Sequence, residues 1–231
     1  MKTLDEPTFT LASTAHARLR EEIISGTIAP GSRIHIRDLC DRMGIGLSPM
    51  REALNRLSAQ GLVRQSDQRG FTAAPLDLAD LTDLTQARAA VNAAALRDAI
   101  THGDAAWEER VLLAHHRMAR IPREADAVRA EWEVLHRAFH AELLSACRSG
   151  RLRLYCEQLF DMSDRYRLVS RVASAGSRDV AGEHEAILHA TLARDADRAV
   201  TLLDLHVRCT EELVRAALLR RQETLTDKTK G

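Results

Sequence analysis

Residues 36–74, IRDLCDRMGIGLSPMREALNRLSAQGLVRQSDQRGFTAA, decide the fold. Ile36 to Met43 has the spacing of a short helix, and Gly44-Ile45-Gly46 interrupts it. Helix resumes after Leu47-Ser48-Pro49, with Ser48 as the expected cap and Pro49 at the first helical position, and runs through Gln60. After Gly61 the pattern becomes Leu62-Val63-Arg64-Gln65, a polar turn over Ser66 to Gly70, and Phe71-Thr72-Ala73-Ala74, which predicts a hairpin. Upstream, Ala15, Leu19, Ile23 and Ile24 predict a helix over 14–25 closed by Gly26, and Ala29-Pro30-Gly31-Ser32 is turn chemistry. Helix, helix, tight turn, helix and hairpin, in this order, describe a winged helix-turn-helix over residues 1–75, whose second motif helix ordinarily enters a DNA major groove.

Beyond Pro75 strand-like alternation is absent. Helices are expected at 77–101, 104–120, 124–148, 151–173, 178–194 and 196–222, each bounded by Gly, Pro, Asp or Ser. The fold class is therefore mainly α, a winged helix-turn-helix followed by an all-helical bundle of about six helices in a second domain, 76–231. The polar tail Thr224 to Gly231 is expected to fray.

Composition agrees. The chain has 231 residues, of which 45% are hydrophobic, 29% charged and only 3% aromatic, a mixture suited to helices and not to sandwiches or barrels. Formal charge is zero, with 33 Lys and Arg against 33 Asp and Glu, which excludes a polybasic coat. Between Thr14 and Pro75, however, nine Arg face six acids, a small basic excess at the front. Cys40, Cys147, Cys156 and Cys209 lack CxxC spacing and read as free thiols on helices. With no apolar run of roughly 18 residues and no signal-peptide core in Met1 to Thr10, a cytoplasmic protein without a membrane partner is expected.

The chain resembles the GntR superfamily of bacterial transcription regulators, and within it the FadR-like branch with a helical FCD ligand domain. The resemblance is carried by LREEIISGTIAPGSRI, SPMREALNRLSAQGLV and the wing QRGF in the front half, and by LHRAFHAELL and EHEAILHATLARDADRAVTLLDLH in the rear. It implies DNA contacts from Arg37, Ser48, Arg51, Arg69 and Gly70. Arginine can reach guanine O6 and N7 bidentately, and hydroxyls and amides at a helix N-terminus suit phosphate. Ordinary surface arginines are the alternative for each residue taken singly. Where many members have Ser-Arg before the Ser-Pro pair, this chain has Gly46-Leu47, so an altered operator or a contact from Leu47 to a thymine methyl follows.

His136 and His140 are four residues apart, which sets both imidazoles on one helix face and makes half a metal site. The resemblance supplies the other half from His184 and His206, giving a divalent ion cofactor, zinc or nickel first. His136 stands where metal-binding members commonly have Asp. An all-nitrogen set disfavours harder ions such as manganese, and the alternative keeps His136 outside a three-histidine site with an open position for a small carboxylate. Arg88, in LTQARAAVNAA, corresponds to a cavity-facing arginine of the family that would hold an effector carboxylate, although the family's nearby glutamate is Asn92 here. Arg165, Tyr166 and Arg167 are further effector-cavity candidates.

The reading that results is a ligand-responsive transcription regulator, more often a repressor in this family. It would act as a homodimer on palindromic double-stranded DNA, with a small organic acid, a metal or both sensed in the bundle and a hinge at Ala74 to Asp77. Two alternatives are weighed against it. A metal-dependent hydrolase retaining a nucleic-acid-binding domain lacks HExxH, GxSxG, GxGxxG and a phosphate loop, and Glu183 and Glu185 are expected to point away from His184. A direct metal sensor would treat the ion itself as the signal.

Overall fold

The computed structural model describes residues 10–66, 70–122, 128–171 and 178–228, the side chains of 168–171, 222 and 224–228 excepted. The head begins with α1 (Leu11–Ile24), capped by the Thr10 hydroxyl, which accepts from the Ser13 amide at 3.2 Å. Its buried positions Ala12, Ala15, Leu19 and Ile23 form one helical stripe. There follow β1 (Arg33–Ile34), α2 (Ile36–Met43), α3 (Leu47–Ala59), β2 (Val63–Ser66) and β3 (Gly70–Ala73). Gly44 ends α2 in the left-handed region at φ 65°, a conformation other residues adopt at a cost.

Two local expectations are corrected. Helix α3 starts two residues early: Gly46 occupies the cap position, Ser48 lies inside the first turn, and the cap residue brings no side-chain hydrogen bond. Pro49 is tolerated there because the first-turn amides lack intrahelical partners in any case. The hairpin is also joined by a third strand. β1 pairs antiparallel with β3 (Arg33 opposite Thr72, Ile34 opposite Phe71) while β2 pairs along its other edge (Val63 opposite Ala73), in the order β1-β3-β2. Two residues are too few to show an alternation in sequence.

The bundle consists of α4 (Leu78–His102), α5 (Ala105–Ala119), α6 (Arg129–Leu143), α7 (Gly150–Arg171), α8 (Val180–Leu192) and α9 (Ala196–Lys228). Asp77, Asp104 and Asp179 cap α4, α5 and α8 through their carboxylates. Gly103 between α4 and α5 lets Trp107 close over the turn, since a Cβ there would lie 2.0 Å from the indole. Helix α6 ends at Leu143, shorter than expected, and α9 keeps helical backbone to Lys228 where a frayed tail was expected. No breaker residue interrupts Ala196 to Lys228.

The head core gathers Leu19, Ile23, Met50, Leu54, Leu57 and Phe71, while the bundle core gathers Leu96, Trp107, Val111, Phe139, Leu143 and Ile187. A smaller cluster of Leu81, Leu84, Tyr166, Val214 and Leu218 lies between α4, α7 and α9, and Met162 of α7 packs against both it and the head. Among the described residues no helix is long and apolar enough to cross a membrane.

Candidate functional site

On the head, Arg37, Ser48, Arg51 and Gly70 are all exposed, as is Leu47. Arg69 lies outside the described residues. Neighbouring cations are already committed: Arg42 pairs with Glu22 and Arg56 with Glu52, each at 2.5 Å. Arg37 and Arg51 make no ion pair among the described residues and keep their guanidinium groups open to solvent.

Inside the bundle, α6 contributes His136 and His140, α8 His184 and α9 His206, and one ring nitrogen from each lies within 4.8 Å of the others. All four are buried. The Nε2 atoms of His136 and His140 are 3.0 Å apart, and the His184 and His206 ring centres 4.6 Å apart. Burial is the main reason why all four imidazoles are pushed toward the neutral form, that of His184 down to about 2, so each keeps a lone pair at neutral pH. Buried imidazoles without charge are the protonation state a metal ligand needs.

Glu183, expected to point away from His184, reaches His206 of α9. Its Oε2 accepts from His206 Nδ1 at 2.7 Å, and Arg178 grips the carboxylate from the other side at 2.6 and 2.7 Å. Burial opposes ionisation of Glu183, but the His206 and Arg178 hydrogen bonds outweigh it and hold its pKa at about 2. A carboxylate on Nδ1 fixes the tautomer and aims Nε2 of His206 at the other rings. The i−1 position of Glu183 hid this, because the partner sits on a different helix. Among the described residues His184 Nε2 is buried with no hydrogen-bond partner, an orphan that an ion would satisfy. These features fit a divalent ion on His140, His184 and His206, with His136 adjacent.

A cavity of about 370 Å³ opens beside His140, lined among others by Arg88, Arg137, Cys156, Phe160 and Leu203. Arg88 donates to the Ser163 hydroxyl at 2.7 Å, but its buried Nε has no partner among the described residues. Burial lowers its pKa only to about 10, so it remains a cation at neutral pH. Burial pushes the Cys156 thiol up to about 11, which makes it packing rather than a nucleophile. Arg137 lies over the Phe160 ring at 4.6 Å. Sequence reasoning missed this arginine, although it is the residue after His136.

Arg165 and Tyr166 are corrections: they are not among the residues lining this cavity. Arg165 donates to the Ala74 carbonyl at 2.9 Å, and the Tyr166 hydroxyl bonds the Asp77 backbone and the Asp80 carboxylate. Both clamp the linker to α7. Their positions follow from the 3.6-residue period, which turns 165 and 166 away from the face that carries Cys156, Phe160 and Arg167. Arg167 instead reaches the histidines, donating to His136 Nδ1 at 2.9 Å.

Comparison with known proteins agrees with this architecture. Residues 11–72 match the family of bacterial regulatory proteins of the gntR type, and residues 83–208 match the FCD domain. The HTH-type transcriptional regulator BphR of Paraburkholderia xenovorans LB400 is 37% identical over 89% of this chain and 85% of that protein. The HTH-type transcriptional repressor GlaR of Escherichia coli K12 is 32% identical over 82% of this chain and 89% of that protein. A crystal structure of a GntR transcriptional regulator from Rhodococcus sp. RHA1 superposes with a TM-score of 0.73 at 23% identity, covering 89% of this chain and 98% of that one. A winged head with uncommitted arginines, joined to a helical bundle that matches a known ligand domain, has a single interpretation: this chain belongs to the GntR family of transcription regulators, in the group with an FCD domain.

Proposed function

We propose that this regulator is a homodimeric repressor whose bundle senses a small carboxylate next to a divalent ion, zinc or nickel. The observation that carries the reading is the set of four buried, neutral imidazoles converging beside an arginine-lined cavity. His140, His184 and His206 would hold the ion, and Glu183 orients His206 for it. When bound, the ion supplies a Lewis-acidic position open to a carboxylate oxygen. Arg88, a cation that lines the same cavity, would take the ligand's second charge, while Phe160 and Leu203 offer apolar walls to its body. Arg37, Ser48, Arg51, Arg69 and Gly70 would meet the operator, with two-fold symmetry matching a palindrome. Repression is supported by the 32% identity to a protein named as a repressor.

Selection of a binding site from random duplex DNA, followed by fluorescence anisotropy at graded salt, tests the reading. The zinc-loaded chain is titrated with a series of mono- and dicarboxylates. At least one acid is expected to change operator affinity by about tenfold, and Arg88→Ala to remove that response. Operator binding that ignores every acid and shifts with zinc alone would replace the effector reading with direct metal sensing. Binding that ignores both would contradict any sensing role for the bundle.

A further inference from the structure

An unbroken chain of charged contacts leads from the histidine cluster to the DNA-binding head. Arg167 Nη1 donates to His136 Nδ1 at 2.9 Å and to Asp164 Oδ1 at 3.2 Å, while its Nη2 holds Glu133 at 2.5 Å. Asp164 Oδ2 accepts from Arg137 Nη2 at 3.2 Å, and the same nitrogen donates to Asp161 Oδ1. Asp161 is then gripped by Arg20 of α1, whose Nε meets Oδ2 at 2.5 Å and whose Nη2 meets Oδ1. Asp161, Asp164 and Arg167 follow one another at three-residue spacing on one face of α7, so the helix sets the rungs of the ladder. The two carboxylates are almost fully buried and Arg20 is only 27% exposed, where water and salt screen such contacts least.

We infer that this arginine–aspartate ladder couples occupancy of the histidine cluster to anchoring of the DNA-binding head. The inference rests on the metal reading above. Arginine has donors only, so its contact with His136 Nδ1 requires a lone pair there and leaves the ring's proton on Nε2, facing His140 Nε2. An ion held by His140 Nε2 takes the lone pair that accepts this proton and repels the proton itself, which favours the His136 tautomer protonated on Nδ1 instead. Two donors then face each other, and Arg167 must leave the first rung. Freed from His136, Arg167 draws on Asp164, which loosens Arg137 and redistributes the charge that Asp161 shares with Arg20. Arg137 also lines the cavity, so an anion held there would draw on the middle of the same ladder.

Coupling of this kind is reciprocal: a change at the head end must alter affinity at the histidines. The probe is zinc alone, its dissociation constant measured on the metal-free full chain by competition with a chromophoric chelator. Arg20→Gln leaves Asp161 to draw Arg137 off Asp164, which frees that carboxylate to take Arg167 from His136, whereas Asp161→Asn turns Arg137 onto Asp164 and holds Arg167 in place. Arg20→Gln is expected to bind zinc about threefold or more tighter than the unaltered chain, and Asp161→Asn about threefold or more weaker. Arg42→Gln, which breaks the exposed Arg42–Glu22 pair on the same head, should leave zinc affinity unchanged. Should Asp161→Asn fail to fold, Arg20→Gln alone decides, because its side chain sits at the edge of the contact. Equal or weaker zinc binding by Arg20→Gln, or tighter binding by Asp161→Asn, would overturn the ladder. An unaltered chain that takes up no zinc would instead contradict the metal reading on which the ladder rests.

Discussion

Replacing His184 by alanine is expected to weaken zinc binding to the full chain by at least about 100-fold, read by chelator competition, while leaving the metal-free protein folded. His184 sits at the centre of the cluster, with ring centres of the other three histidines between 4.6 and 5.4 Å away. Its buried Nε2 has no hydrogen-bond partner among the described residues. In the metal-free chain this orphan nitrogen is a cost and not a contribution, so its removal offsets part of the packing lost with the ring. Metal-bound protein behaves oppositely. Zinc at a concentration 100 times its dissociation constant stabilises the native state by about 2.7 kcal/mol, and this increment should vanish from the thermal transition of the variant. Glu183→Gln, which leaves all four histidines in place but weakens the grip on His206 Nδ1, is expected to sit in between, costing about 10- to 100-fold. A His184→Ala chain that still gains thermal stability from zinc would place the ion elsewhere.

Arg51→Ala should lower affinity for the selected operator by about 10- to 100-fold, equivalent to the ~1–3 kcal/mol of one bidentate base contact, and relax sequence preference at one position of each half-site. Arg51 lies one turn into α3, is exposed, and has no acidic partner among the described residues. Arg56, a turn further on, is tied to Glu52 and serves as the comparison, with a loss confined to a small, uniform decrease across sequences. Anisotropy on the operator and on a scrambled duplex separates the two. Equal losses on both duplexes for Arg51→Ala would reassign it to the phosphate backbone.

Much of this was legible in the chain itself. The head could be read because Gly44, Gly61 and Gly70 punctuate it at positions where the backbone must turn, and because α1 carries its apolar stripe without interruption. The pair His136 and His140 announced itself through its four-residue spacing. What stayed hidden depends on contacts between helices distant in sequence. Glu183 reaches His206 23 residues away, and Asp161 reaches Arg20 141 residues away; no local period encodes either. Arg165 and Tyr166 were misplaced for the opposite reason. Their neighbour Arg167 does face the histidines, but a helix turns about 100° per residue and so sends adjacent side chains to different walls. The third strand escaped because β1 has only two residues and takes its conformation from β3.

Diffraction from crystals of the zinc-loaded chain, recorded on both sides of the zinc absorption edge, tests the central assignment most directly. The account predicts one anomalous peak within the bundle, bonded at about 2.0–2.1 Å to Nε2 of His140, His184 and His206. Zinc found only on the outer surface, or a bundle interior without an anomalous signal at full zinc loading, would contradict it.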